Sequence, residues 1–317
     1  MSKLNAVSGR WKLGLLLALG TATMWGTLPV ALHQVAPTIG PATSTFFRFF
    51  IAALVLTPYL VLTRQINNQH KLKSAKLLAL TLTAGLLLTG NYGFYILGLE
   101  RTSAEATQVL IQLAPMLLLL AGLGLFKETF SRSQWLGFFG FALGLLLFFE
   151  RQASQLLIDF GDYGLGLIFI IMSAIFWTGY AIIQKFLLND FQSSETMLIL
   201  YWIGSLVFLP LSDFSTLNQL SPVQWAALIF CGLNTLIAYG CFAEAMMHLE
   251  ASRVSAIIAI APLFTIAIAQ LIPISDMPVE PLTGLSIIGA ILVVSGSITT
   301  ATAKKSQPNN QKKILTT

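Results

Sequence analysis

Residues 91–115 read NYGFYILGLERTSAEATQVLIQLAP, and residues 238–262 read AYGCFAEAMMHLEASRVSAIIAIAP. Both stretches open on Tyr-Gly and close on Ala-Pro. Tyr92-Gly93 and Tyr239-Gly240, like Ala114-Pro115 and Ala261-Pro262, repeat at a separation of 147 residues. Outward from these stretches the match continues. Gly137 recurs as Gly284 at the same separation, while Trp25 with Trp177 and Pro58 with Pro210 recur at 152. The five-residue difference falls between Pro58 and Tyr92, where the first half carries a longer basic loop from Arg64 to Lys76. Length changes collect in such loops. Aromatic and proline anchors holding their offset across several apolar segments mark an internal repeat, which chance matching of Leu and Gly does not explain.

Composition says in what solvent the two copies live. Of 317 residues, 56% are hydrophobic and 10% charged, against about 25% charged in an average soluble domain. Mean hydropathy is +0.78, and so few charges cannot cover two water-soluble cores. The balance of +5 does not point to nucleic acid, because the basic residues sit in short gaps between apolar runs, as membrane-flanking anchors do. Cys231 and Cys241 are ten residues apart on one apolar run, ~15 Å along a helix and too far to bridge each other. His33, His70 and His248 are scattered, so no metal site is expected. HExxH, CxxC, Walker A and GxSxG motifs are absent, and no bound cofactor is expected.

About 20 apolar residues cross a ~30 Å hydrocarbon layer as a helix. Ten segments qualify: Leu13–Val35, Pro41–Leu62, Leu77–Leu99, Ala106–Phe126, Trp135–Phe149, Tyr163–Gln184, Thr196–Leu211, Pro222–Met247, Val254–Ile274 and Leu282–Ala303. The fifth and seventh are short, and charged loops on both sides favour full spans over re-entrant hairpins. The first lacks an A-x-A-like exit and contains Trp25 and Pro29, so it reads as a retained helix. With the N-terminus inside, fifteen Lys/Arg fall on the inner side and two, Arg101 and Arg151, on the outer, with Arg48 inside a span. The bias places both termini in the cytoplasm. Residues 1–12 form the N-terminus, 13–151 the first five-helix repeat, 152–303 the second, and 304–317 a polar tail. Five spans per half is an odd number, so the second copy enters the membrane from the opposite side. The expected fold is an all-α membrane protein of ten transmembrane helices in two inverted five-helix repeats.

Met24-Trp25-Gly26 on the first span, Phe46-Phe47-Arg48-Phe49 on the second, the Ala-Pro pairs on the fourth and ninth, and a Lys127-Glu128 turn leading to Gly137 together resemble the EamA-type drug/metabolite transporter superfamily. One departure is visible: Ser275-Asp276, followed by Pro278 and Pro281, stands where the first half has Lys127-Glu128. The resemblance implies a ten-helix inverted-repeat carrier whose cavity is lined by the first, third, fourth, sixth, eighth and ninth spans. It also implies export or exchange of small metabolites, often amino acids, across a bacterial inner membrane.

The residues themselves suggest a solute path. A mid-helix proline removes a backbone bond, so Pro115 and Pro262 are expected to free the carbonyls of Ile111 and Ile258, as hinges or solute acceptors, or as kinks that only improve packing. Gln108 and Gln112 share a helix face and either line a wet cavity or join helices. Trp25, Tyr92, Trp177, Tyr180 and Tyr239 offer rings with polar tips for a pocket, the alternatives being interfacial belting and packing. Arg48, ~10 Å into its span, costs ~2.5 to 3.5 kcal/mol at a helix centre and needs a partner. Glu100 and Glu105 are its candidate carboxylates, in a helix clamp, a solute site or an outer gate. Glu244 is read as the acid within the apolar layer, paired with Arg253 or coupled to protons. Gly137, Gly140 and Gly144 permit close helix packing, including against another subunit of a homo-oligomer. The partners expected are a small-molecule substrate and the lipid bilayer. A membrane-embedded enzyme or a non-transporting membrane partner is the competing class, but no acid/base cluster supports it. A channel lacks a repeated filter or charge ring.

The Lys/Arg asymmetry makes a direct prediction. In a background lacking native cysteines, Gln69→Cys and Asn310→Cys are protected from a membrane-impermeant thiol reagent in intact cells, whereas Asp159→Cys reacts. Labelling at Gln69 but not at Asp159 reverses the orientation.

Overall fold

The computed structural model describes residues 8–65, 71, 73–125, 130–150, 161–271 and 283–302. Lys127-Glu128, the Ser275-Asp276 turn with Pro278 and Pro281, and the tail after Thr302 lie outside them, as do positions 69, 159 and 310. The described residues are helical without a strand. In order, the helices are α1 (Trp11–Leu62), α2 (Ala75–Leu99), α3 (Ala104–Leu110), α4 (Leu113–Gly124), α5 (Arg132–Phe148), α6 (Gly161–Leu187), α7 (Ser193–Phe208), α8 (Pro222–His248), α9 (Ala251–Ile258), α10 (Ala261–Leu271) and α11 (Gly284–Thr302).

Seven helical stretches are long and apolar enough to cross a membrane, and Arg132–Phe148 and Gly284–Thr300 are shorter apolar helices. The 52-residue α1 is interrupted at Gly40, whose φ of 77° and ψ of 163° leave the helical region. Pro41 disfavours a helical conformation at the residue before it, and glycine tolerates the positive φ. The short fifth segment begins three residues earlier than its apolar run. Ser131 accepts from the Gln134 N–H while the Gln134 side chain accepts from the Ser131 N–H, a capping box that starts α5 at Arg132. Ser221 and Gln224 do the same for α8, with Pro222 in its first turn.

The outer surface is apolar: Leu136, Phe139, Leu146, Leu206 and Ile291 are each exposed over more than half their area. Such a surface belongs in hydrocarbon. The inner faces pack α1 on α8, α2 on α6 and α5 on α11. The α5–α11 crossing is the tightest. A Cβ on Gly137 would lie 2.6 Å from the Gly296 carbonyl oxygen, and one on Gly144 would lie 2.7 Å from that of Gly289; the reverse approaches are 2.5 and 2.6 Å. These glycines therefore serve contacts within the chain, and a second subunit is not what they face. Gly140 is looser, with Gly296 Cα at 3.9 Å. The structural counterpart of Gly137 is also not Gly284, which faces open space: the contacts Gly137–Gly296 and Gly144–Gly289 exchange when each residue is moved by 152 positions, the separation of Trp25 and Trp177.

Gly144→Ala and Gly289→Ala should each lower the melting temperature of the detergent-solubilised protein, by the ~1–3 kcal/mol typical of overpacking. Gly240→Ala, where a Cβ meets nothing within 4 Å, should leave it unchanged or raise it slightly. Size-exclusion profiles after graded heating distinguish the two outcomes.

Candidate functional site

The interior holds a central cavity walled by α1, α2, α3, α4, α6 and α8, with Ile258 of α9 at its edge. It offers about 60 Å³ to the centres of water-sized molecules, room for roughly four to six waters at ~10–15 Å³ each. Trp25, Tyr92, Gln108, Gln112, Trp177 and Tyr239 all line it. The rings form one cluster. Trp25 meets Trp177 edge-on at 5.7 Å and Tyr239 at 5.1 Å, and Tyr92 lies 5.6 Å from Tyr239. Tyr180 does not join the wall. It is fully buried behind Tyr239, its hydroxyl directed to Met197 Sδ, because its place on α6 carries the ring past the cavity into the core.

Two polar lining residues were not singled out in the sequence. Asn91 and Tyr95 are four apart on α2 and share the face that bears Tyr92. An amide inside an apolar span was the available signal. Asn91 Nδ2 donates to the Ser173 carbonyl (3.0 Å) and hydroxyl (2.7 Å), Ser173 Oγ returns a bond to the Asn91 carbonyl (2.9 Å), and Tyr239 donates to Asn91 Oδ1 (3.3 Å). Across the cavity, Tyr95 donates to Gln108 Oε1 at 3.3 Å, and Gln112 Nε2 donates to the Gln108 carbonyl at 3.2 Å. Gln112 Oε1 is buried without a hydrogen-bond partner.

The prolines act differently from the expectation of orphaned carbonyls. The helix ends at Leu110 and restarts at Leu113, and in the matching place it ends at Ile258 and restarts at Ala261. Pro115 and Pro262 thus stand in the first turns of α4 and α10, where a missing N–H costs nothing. The Ile111 carbonyl is not freed: it accepts the Ala114 N–H at 2.9 Å. Pro115 lines the cavity, whereas Pro262 is buried against Val109 and Phe148 and does not reach it. Gln108 and Gln112 flank the first break and still share a face.

The charged residues need more revision. Arg48 is 2% exposed and forms no ion pair with Glu100 or Glu105. Its guanidinium carbon lies 4.0 Å from the centroid of the Tyr92 ring, on which Phe49 also stacks at 4.3 Å. Arg48 turns inward to the cavity, while Glu100 caps α2 and is exposed, and Glu105, fully buried, lies in the first turn of α3. A desolvated ring contact supplies about 2 kcal/mol, close to the insertion penalty but short of it. Glu244 pairs with His248 at 3.3 Å and accepts from Ser193 Oγ at 2.9 Å, one turn from the end of α8. It is not bound to Arg253, which pairs instead with Glu250 at 3.5 Å. A separation of nine residues across the α8–α9 turn favours the nearer carboxylate. Nor is Glu244 the most enclosed acid, since Glu105 and Glu195 are buried and Glu244 is partly open. His248 Nδ1 also meets Ser8 Oγ at 2.6 Å, tying the chain's start to this end of the bundle.

Asn91→Leu keeps the branched heavy-atom shape and removes every bond of the amide side chain. Orphaning the Tyr239 hydroxyl costs about 1–3 kcal/mol, while Ser173 keeps its bond to the backbone carbonyl of residue 91, so the variant should melt a few degrees below the parent in detergent. An unchanged melting curve would show that the Asn91 bonds contribute nothing net.

The chain matches the EamA-like transporter family twice, over residues 12–150 and 164–302. It is 35% identical over 292 residues to a protein of Escherichia coli (strain K12) named an uncharacterized inner membrane transporter, YhbE, covering 91% of each chain. An uncharacterized transporter of Haemophilus influenzae is 34% identical over 300 residues, covering 94% of this chain and 97% of that one. One solved crystal structure superposes with a TM-score of 0.67 over 92% of this chain and 97% of its own, at 17% identity, a likeness of fold alone.

Proposed function

Because the chain belongs to the EamA-like transporter family, and so is a multi-pass membrane transporter, we propose that it is a secondary carrier. It exports or exchanges small metabolites such as amino acids across a bacterial inner membrane by alternating access, with both termini cytoplasmic. The observation that carries this reading is the cavity itself: one small chamber walled by helices of both family matches, with a helix break on its wall.

Ten spans follow if the two parts of α1 on either side of Gly40 cross separately and the two shorter helices α5 and α11 also cross. An α5 of 17 residues is ~25 Å long, enough with slight thinning of the bilayer. A two-fold relation between the halves is supported by the pairing of helices, and five spans in each half would make it an inverted one. Exchanging the halves turns the α1–α8 contact into the α6–α2 contact and returns α5–α11 to itself. Residues on such an axis touch their own counterparts, as Trp25 does Trp177 and Tyr92 does Tyr239. The paired breaks before Pro115 and Pro262 are the hinges about which one group of helices rocks. On the side of the N-terminus, Glu244, His248, Ser193 and Ser8 form the latch that must part when the cavity opens there.

Counterflow in liposomes holding the purified chain tests the proposal. Preloaded amino acid should drive uptake of its labelled form without ATP or an imposed gradient. Pro115→Ala, which lets α3 and α4 fuse, should slow exchange several-fold with a smaller change in half-saturation. Exchange no faster than in empty liposomes across a metabolite panel would refute a carrier.

A further inference from the structure

We propose that Arg48 is the anion-recognition residue of the central cavity and that the solute it takes is a small organic carboxylate. The inference rests on the carrier reading and adds the chemical class to it. Arg48 is 2% exposed and forms part of the cavity wall, yet its Nε and Nη1 have no hydrogen-bond partner. A buried cation with idle donors is costly unless a ligand or water uses them. The Tyr92 face attracts the charge but gives those N–H groups no carboxylate or carbonyl oxygen.

Nothing in the wall neutralises Arg48. No lining residue is acidic, and among the described residues Arg48 forms no ion pair. The chamber wall therefore carries one positive charge inside an apolar bundle, where repulsion at short range is poorly screened. An amine or other cation is excluded, a neutral solute leaves the donors idle, and a carboxylate satisfies both the charge and the planar donors. Gln112, a second residue of the wall, has a buried Oε1 without a partner, and in this proposal it turns to accept a donor on the solute, such as an amino or hydroxyl group beside the carboxylate. Trp25 and Trp177 cover the apolar remainder. Room for about four to six waters limits that remainder to a few carbons.

The test is thermal stabilisation of the purified full chain in detergent. The panel is lactate and 4-methylpentanoate, each against its uncharged amide, and alanine, valine and leucine, each against its amide, which is a cation, with sodium chloride at equal concentration as the common control. At least one carboxylate should raise the melting temperature, and its amide should need at least tenfold more for the same shift. Arg48→Lys should keep that preference with weaker binding, and Arg48→Gln should abolish it. The assignment is overturned if no acid stabilises the parent, if an amide or chloride matches its acid, or if Arg48→Gln still prefers the acid. The amide comparison on the parent decides the matter even if a variant folds poorly. Counterflow separates this from the carrier reading: carboxylate binding without exchange leaves the site and sinks the carrier, whereas exchange indifferent to the carboxylate does the reverse.

Discussion

In hydrocarbon an unpaired peptide group costs several kcal/mol, and the rest of this structure depends on that constraint. It explains why the described chain is helix almost throughout and why its departures from helix are placed as they are. The interruption at Gly40 sits between two apolar stretches, beside Pro41, where the backbone leaves the helical region. The mid-span interruptions at Ile111–Gln112 and Ala259–Ile260 lie inside the bundle, with Gln112 and Ala259 buried. Irregular backbone at membrane depth is tolerated only against protein or a wet cavity; here the first break borders the chamber and the second is enclosed by protein. The proposed hinges are these same breaks, which lipid would not tolerate.

Polar side chains obey the same rule. Asn91, Ser173 and Tyr239 form a closed network in which donors and acceptors are matched, and Thr235 accepts from the Tyr92 hydroxyl at 3.2 Å. A satisfied network stiffens the bundle around the cavity. Arg48 and Gln112 stand apart from it because part of their hydrogen-bonding capacity is unused. Other buried polar atoms also lack partners, but Arg48 and Gln112 are the cavity-lining residues among them, which is why the proposed solute is placed against these two.

Much of the fold was legible in the sequence. Apolar runs of spanning length became helices within a few residues of their expected ends, since nothing in lipid competes with helix. Where ends moved, as at Arg132, a capping box overrode the hydropathy boundary. Six of the seven expected wall residues line the cavity, because aromatic and amide groups in a span turn away from lipid. The ionic pairings were not legible: spacing says which carboxylates are near Arg48 or Arg253 along the chain, whereas rotamers and helix ends decide which one is reached. Asn91 and Tyr95 were missed although they share the face of Tyr92, and Tyr180 was misplaced because a ring on a lining helix can also face the core.

The central claim is that one chamber opens in turn to each side of the membrane. Ile111 lines it and is only partly buried, so Ile111→Cys, with Cys231 and Cys241 replaced by serine, reports its accessibility. In liposomes holding the protein in one known orientation, a membrane-impermeant thiol reagent is applied from outside in one sample and trapped inside in another. The account predicts modification from both faces, and slower modification from each when an exchanged solute is present. Modification from one face only, under every solute condition, would contradict it.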